Sequence, residues 1–120
     1  MKLDYLYRDA GNYKARGEVV FSNPDEITVQ EATDRIRKAC DSGCLFIADQ
    51  VSLPEVFLFG KGDVTVDDHC FHEFDSLKQT EEPSTDIKAR SLKLFVEQLE
   101  HESRRGWRAF DPAERVRQMR

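Results

Sequence analysis

The sequence predicts an α+β fold: a mainly antiparallel sheet with two main helices packed on one face and a short C-terminal helix. Three observations predict it. The first 21 residues hold two β-rich runs, and two later segments carry apolar residues at helical spacing behind capping residues. The strand-like segments are grouped and do not alternate strictly with helices.

Leu3, Tyr5 and Tyr7 alternate with Lys2, Asp4, Leu6 and Arg8, which predicts a strand with one strongly aromatic face. Asp9-Ala10-Gly11-Asn12 is a turn signal. Gly17-Glu18-Val19-Val20-Phe21 reads as a second strand, stopped by Ser22-Asn23-Pro24-Asp25. The two strands are expected to pair antiparallel across a long connection containing Asn12 to Arg16. Thr28 and Glu31 fit a capping box, so a helix starts near Val29. Val29, Ala32, Thr33, Ile36, Ala39 and Cys40 recur at helical spacing, and Gly43 is the expected left-handed cap. Leu45-Phe46-Ile47 reads as a short apolar strand or a buried segment, and Leu53, before Pro54, is expected to be extended. Gly60-Lys61-Gly62-Asp63 reads as a loop tip, and Val64 to Leu77 as one or two strands. Gln79 to Thr85 is a polar loop. A second helix is expected from about Asp86 to Ser103, with Ala89, Leu92, Phe95, Val96 and Leu99 buried and Gly106 ending it. Asp111, Pro112 and Glu114 start the short third helix.

The length of 120 residues fits one domain able to bury a modest core. Residues 1–105 read as that domain, and 106–120 as a basic, aromatic tail with the short helix. Three cysteines do not resemble a secreted disulfide framework, the N-terminus has no signal-peptide run, and no apolar stretch is long enough to span a bilayer. These features predict a cytoplasmic protein without a membrane partner. The net charge of −5 is uneven. Residues 1–87 carry 9 Lys+Arg against 18 Asp+Glu, and residues 88–120 carry 9 against 5. An acidic body repels nucleic acid, so a nucleic-acid partner is not expected.

The densest group of reactive side chains is Asp67-Asp68-His69-Cys70-Phe71-His72-Glu73-Phe74. Read as a strand, it sends Cys70 and His72 to one face and His69 and Glu73 to the other. The catalytic candidates are therefore His72, Glu73 and Cys70. A thiol beside an imidazole can become a nucleophile, and Glu73 or His72 can act as acid or base. Against this, a strand interior is a poor mount for a nucleophile, and Cys70 is as readily a core residue. Zinc ligation by Cys40, Cys44, Cys70 and His72 is disfavoured because ligands two apart on a strand splay, so neither metal nor cofactor is expected. Asp63, Asp67, Asp68, Glu73 and Asp75 lack calcium-loop spacing and read as a solvated acidic edge. In the tail, Arg104, Arg105, Trp107, Arg108 and Phe110 interleave cations and rings. Trp107, Arg108 and Phe110 are candidate anchors, either for docking on the acidic body or for a protein interface.

Asp4-Tyr5-Leu6-Tyr7-Arg8-Asp9, Asn12-Tyr13-Lys14, Gly17-Glu18-Val19-Val20-Phe21 and His72-Glu73-Phe74 resemble the pattern of a group of small bacterial proteins of unassigned function. The resemblance implies a bacterial cytoplasmic protein. It directs attention to Arg8, Asn12, Tyr13 and Lys14 as a ligand-binding loop beside His72. Two functions follow as expectations. The first is a non-enzymatic protein-interaction or accessory module, self-associating or bound to a protein partner through its sheet edge or tail. The alternative is a small enzyme or ligand-binding protein using the Arg8–Lys14 loop and the His72-Glu73 strand.

Overall fold

The computed structural model describes residues 1–58, 64–65 and 68–118. The expected loop tip at 60–63, Asp67 and Met119 lie outside the described residues. The elements run β1 (Lys2–Arg8), β2 (Lys14–Val20), α1 (Val29–Ala39), β3 (Leu45–Phe46), a 3₁₀ turn (Ala48–Val51), β4 (His72–Lys78), α2 (Leu92–Arg105) and α3 (Pro112–Gln118). The four strands form one antiparallel sheet in the order β2-β1-β4-β3. The α+β prediction holds.

The inner face of the sheet carries Leu3 and Tyr5 of β1, Val19 of β2, and Phe74 and Leu77 of β4. Phe74 and Leu77 are three apart, yet both face inward. A bulge explains this: Asp4 opposes Ser76 while Tyr5 opposes Phe74, leaving Asp75 as the extra residue. Ala32, Ile36 and Ala39 of α1 and Leu92, Phe95, Val96 and Leu99 of α2 close the core. Arg35 ties the helices together with two bonds to Glu100, at 3.0 and 2.6 Å.

The outer face is a lattice of charges. Lys78 meets Asp4 at 3.1 Å, Arg16 meets Asp75 at 3.4 Å, and Arg8 meets Glu73 at 3.1 Å. Leu6, the apolar residue of β1 on this face, is nevertheless buried between Arg16 and Glu73, its register partners.

Three boundaries differ from the sequence expectation. β2 begins at Lys14, so the connection shrinks to a tight turn in which the Asp9 and Asn12 side chains both act. Asp9 accepts from the backbone of Tyr13 at 3.0 Å, and Asn12 takes φ 68°. Cys40, not Gly43, caps α1; Ser42 and Gly43 instead form a left-handed turn joining Asp41 to Leu45. α2 begins at Leu92 rather than Asp86. Ser91 is its N-cap, and Asp86 and Ala89 belong to a preceding turn in which Ala89 has φ 51°.

Gly17 stands opposite Tyr5 in the ladder. A Cβ there would lie 2.7 Å from the Tyr5 ring, which is itself held by a 2.6 Å bond from its hydroxyl to the Pro54 carbonyl. The ring has no free direction of retreat, so Gly17→Ala is expected to cost about 1–3 kcal/mol by overpacking. Chemical denaturation checks this; a loss below about 0.5 kcal/mol contradicts the tight pairing.

Candidate functional site

Among the described residues, the strand expected over Asp67–Phe74 begins at His72. Residues 68–71 form a loop because local side-chain bonds compete with the ladder. Asp68 accepts from the Thr65 amide at 3.0 Å and from the Tyr7 hydroxyl at 2.6 Å. The His69 amide donates to the Tyr7 hydroxyl at 3.2 Å, and the Phe71 amide donates to His69 Nδ1 at 3.0 Å. Strict alternation therefore does not separate the histidines. Both rings pack on Tyr7, with centroids 5.0 Å (His69) and 5.8 Å (His72) away.

Their roles are fixed by their partners. His69 accepts at Nδ1, so Nε2 carries the proton and donates to the Arg8 carbonyl at 2.7 Å. His72 is fully buried, and its Nε2 accepts from the Val56 amide at 3.0 Å. Its proton then sits on Nδ1, which has no hydrogen-bond partner among the described residues. Burial, with a smaller contribution from His69, lowers the His72 imidazole to about 4; the Cys70 backbone opposes this weakly. His72 is thus a neutral core side chain at ordinary pH. Burial also raises the Tyr7 phenol, helped by its bond to Asp68.

The catalytic trio does not converge. His72 points into the core, whereas Glu73, its neighbour on β4, points to the outer face and pairs with Arg8 at 3.1 Å. Cys70 is buried in the loop. Cys40 is buried as well, and burial, with a smaller push from Cys44, takes its thiol up to about 12, against weak opposition from Arg37. Such a thiol is inert. Among the described residues, no group of three or more His, Cys, Asp or Glu side chains is arranged to hold a metal ion.

Of the expected ligand-binding loop, Arg8 is turned back by Glu73 and by a hydrogen bond to Asn12. Arg8 and Glu73 join Asp9, Ala10, Leu45, His69 and Phe71 around a shallow cleft of about 310 Å³. Tyr13, 73 % exposed at the hairpin tip, and Lys14 do not line it.

The tail folds onto its own body. The Trp107 indole donates to the Ala39 carbonyl at 3.2 Å. The Arg108 backbone and the Gln50 side chain exchange two bonds, at 3.2 and 2.8 Å, while the Arg108 guanidinium pairs with buried Glu102. Phe110 meets Phe57 edge-on, and Arg115 stacks on Phe110 at 3.6 Å while pairing with Glu55. Among the described residues of the tail, Arg108, Arg115 and Arg117 are each ion-paired within the molecule.

Among the described residues the β2 edge also remains open, and its Arg16 and Glu18 were not among the expected site residues. Phe21 and Met1 exchange backbone bonds, at 2.8 and 3.0 Å, so the odd-numbered residues of β2 bond to β1 and the even-numbered ones face outward. The outward groups of Val20 are covered by Thr85, at 2.8 and 3.0 Å. Those of Lys14, Arg16 and Glu18 have no partner among the described residues. The signal in the sequence is the period-two spacing of these three charges. At the opposite edge, β3 has only two residues and is flanked by the Asp41–Leu45 bridge. Among the described residues, no helix is long and apolar enough to cross a membrane.

No family model, curated protein or solved structure matches the chain.

Proposed function

We propose that this chain is a non-enzymatic protein-interaction module of a bacterial cytoplasmic system and that it binds by adding a strand to the β2 edge. The observation that carries the reading is the run Lys14–Glu18, where backbone donors and acceptors of a seven-residue strand face outward without partners among the described residues. Such an edge offers affinity through main-chain bonds and selectivity through its side chains. The engaged tail and the separation of His72 from Glu73 favour this reading over the tail interface and over chemistry on β4.

Arg16→Pro tests it. The outward N–H is lost and the ring obstructs an incoming strand, while the bonds to β1 stay, which an edge strand tolerates. The variant is expected to melt close to the parent and to lose the proteins that co-purify with it. Arg117→Ala, an exposed tail change, is expected to keep them. Undiminished association by a folded Arg16→Pro protein would remove the reading.

The cleft at Arg8, His69 and Glu73 supports a second reading, a small-ligand site. A carboxylate ligand would have to displace Glu73 from Arg8. Titration with acetate, followed at the Arg8 and His69 resonances, favours that reading if the shifts saturate and removes it if they stay linear.

A further inference from the structure

The open edge has a feature beyond its availability: its charges are complementary to themselves. The exposed run reads Lys14, Arg16, Glu18, all on the outer face of the sheet. Thr85 covers the outward groups of Val20 and so limits an incoming strand to these positions. An antiparallel strand of the same sequence, related by a two-fold axis at Arg16, fits this window. Lys14 then stands opposite Glu18 of the second copy, and Glu18 opposite its Lys14. All three outward residues fall in hydrogen-bonded positions, giving about six backbone bonds across the axis.

The central contact between two copies of Arg16 is the test of this register, since like charges directly opposite destabilise a pair. Here Arg16 leans away from the edge, over Leu6, to reach Asp75 at 3.4 Å on the far side of β1. Lys14 has no ion-pair partner among the described residues, and Glu18 has only a loose one, Lys2 at 3.8 Å. The two charges left available are thus the two that a second copy would match. Charges on an edge strand ordinarily block pairing. A register shifted toward Lys14 sets Lys14 against Arg16 and is repelled, and one shifted toward Glu18 needs the outward groups of Val20, which Thr85 already occupies.

We propose that the β2 edge is the seat of a second copy of this chain, the two sheets joining into one across a two-fold axis at Arg16. This inference rests on the edge reading above and names the partner.

The experiment is sedimentation of the full chain and four preparations: Arg16→Pro, Lys14→Glu, Glu18→Lys, and an equimolar mixture of the last two. All substituted positions are exposed or at the edge, and circular dichroism confirms each fold. The parent is expected to dimerise and Arg16→Pro to be monomeric. Each single charge reversal places two like-charged pairs across the axis and should weaken the dimer at least about tenfold. The mixture should recover association, because the glutamate introduced at position 14 of one variant then meets the lysine introduced at position 18 of the other. A monomeric parent at the highest attainable concentration overturns the second copy as partner and leaves the edge reading to its own test. A dimer that Arg16→Pro does not disturb overturns both. A dimer lost in Arg16→Pro but indifferent to the charge reversals overturns the register and keeps the edge.

Discussion

Arg90→Ala is expected to destabilise the protein by about 3–5 kcal/mol, the cost of removing one partner from a buried ion pair. Arg90 and Asp86 are both buried, and the guanidinium uses all its donors. Nε and Nη2 hold the two carboxylate oxygens of Asp86 at 2.9 Å each. Nη1 reaches the Val51 carbonyl at 2.7 Å and Gln98 at 2.6 Å, and Nη2 the Ser52 carbonyl at 3.2 Å. The Arg90 Cζ lies over the rings of Phe21 and Phe95, at 5.8 and 5.3 Å from their centroids, and the two rings stack 4.5 Å apart. Arg90 therefore joins the turn before α2, the 3₁₀ segment and the core at one point. Burial works to raise the Asp86 carboxyl, but the bonds from the Arg90 side chain and backbone outweigh it and hold the group below its ordinary value. Lysine should not restore stability, because one ammonium cannot meet acceptors spread around a planar fork. The double change Arg90→Met with Asp86→Leu should recover part of the loss, since no charge is left stranded. Urea unfolding of the three variants checks this; a loss under about 1 kcal/mol for Arg90→Ala contradicts the role given to the pair.

The second large effect is acid destabilisation through His72. Its unfolded imidazole titrates near 6.5 and its folded one at about 4. The folded value is lowered, so the unfolded chain binds the proton first. The stability contributed by neutral His72 is complete above pH 6.5 and is lost as pH falls from 6.5 to 4. The full loss is about 3 kcal/mol. Asp86, Glu100 and Glu102 also sit below their ordinary values, so their contributions are lost at lower pH, below about 4.5. The window from about 6.5 to 4.5 thus lies above the carboxylates. Melting curves across it should fall more steeply for the parent than for His72→Gln, which removes this titration while keeping an acceptor for the Val56 amide. Equal slopes for both proteins would place the titrating group elsewhere.

The fold was legible where local chemistry agreed with tertiary packing. Thr28 and Glu31 located the start of α1 because Thr28 accepts from the Glu31 amide at 3.1 Å, a bond that needs only neighbours in sequence. The alternation of Leu3, Tyr5 and Tyr7 gave β1 because its inner face is buried. The start of α2 was misread because Asp86 has a better use than helix initiation: its carboxylate is committed to Arg90, four residues on. An Asp–Arg pair at that spacing was visible, but only burial makes it decisive. The bulge at Asp75 leaves no local mark, since the long-range register between β1 and β4 creates it. The histidine segment misled for a related reason. Alternation assumed a ladder that the Tyr7 hydroxyl, 62 residues away from His69, replaces with side-chain bonds. The tail's cations and rings were recognised as anchors. Their seat on Ala39, Gln50, Glu55 and Phe57 depends on contacts that no spacing encodes.

Amide hydrogen exchange along β2 tests the edge most directly. In dilute, unassociated protein the outward amides of Lys14, Arg16 and Glu18 should exchange quickly, while those of Ala15, Gly17 and Val19, bonded to β1, should be protected. On association, at high protein concentration or with a captured partner, protection should appear at Lys14, Arg16 and Glu18 and leave the alternate residues unchanged. Association that leaves these amides exchanging at their dilute rates would contradict strand addition at β2.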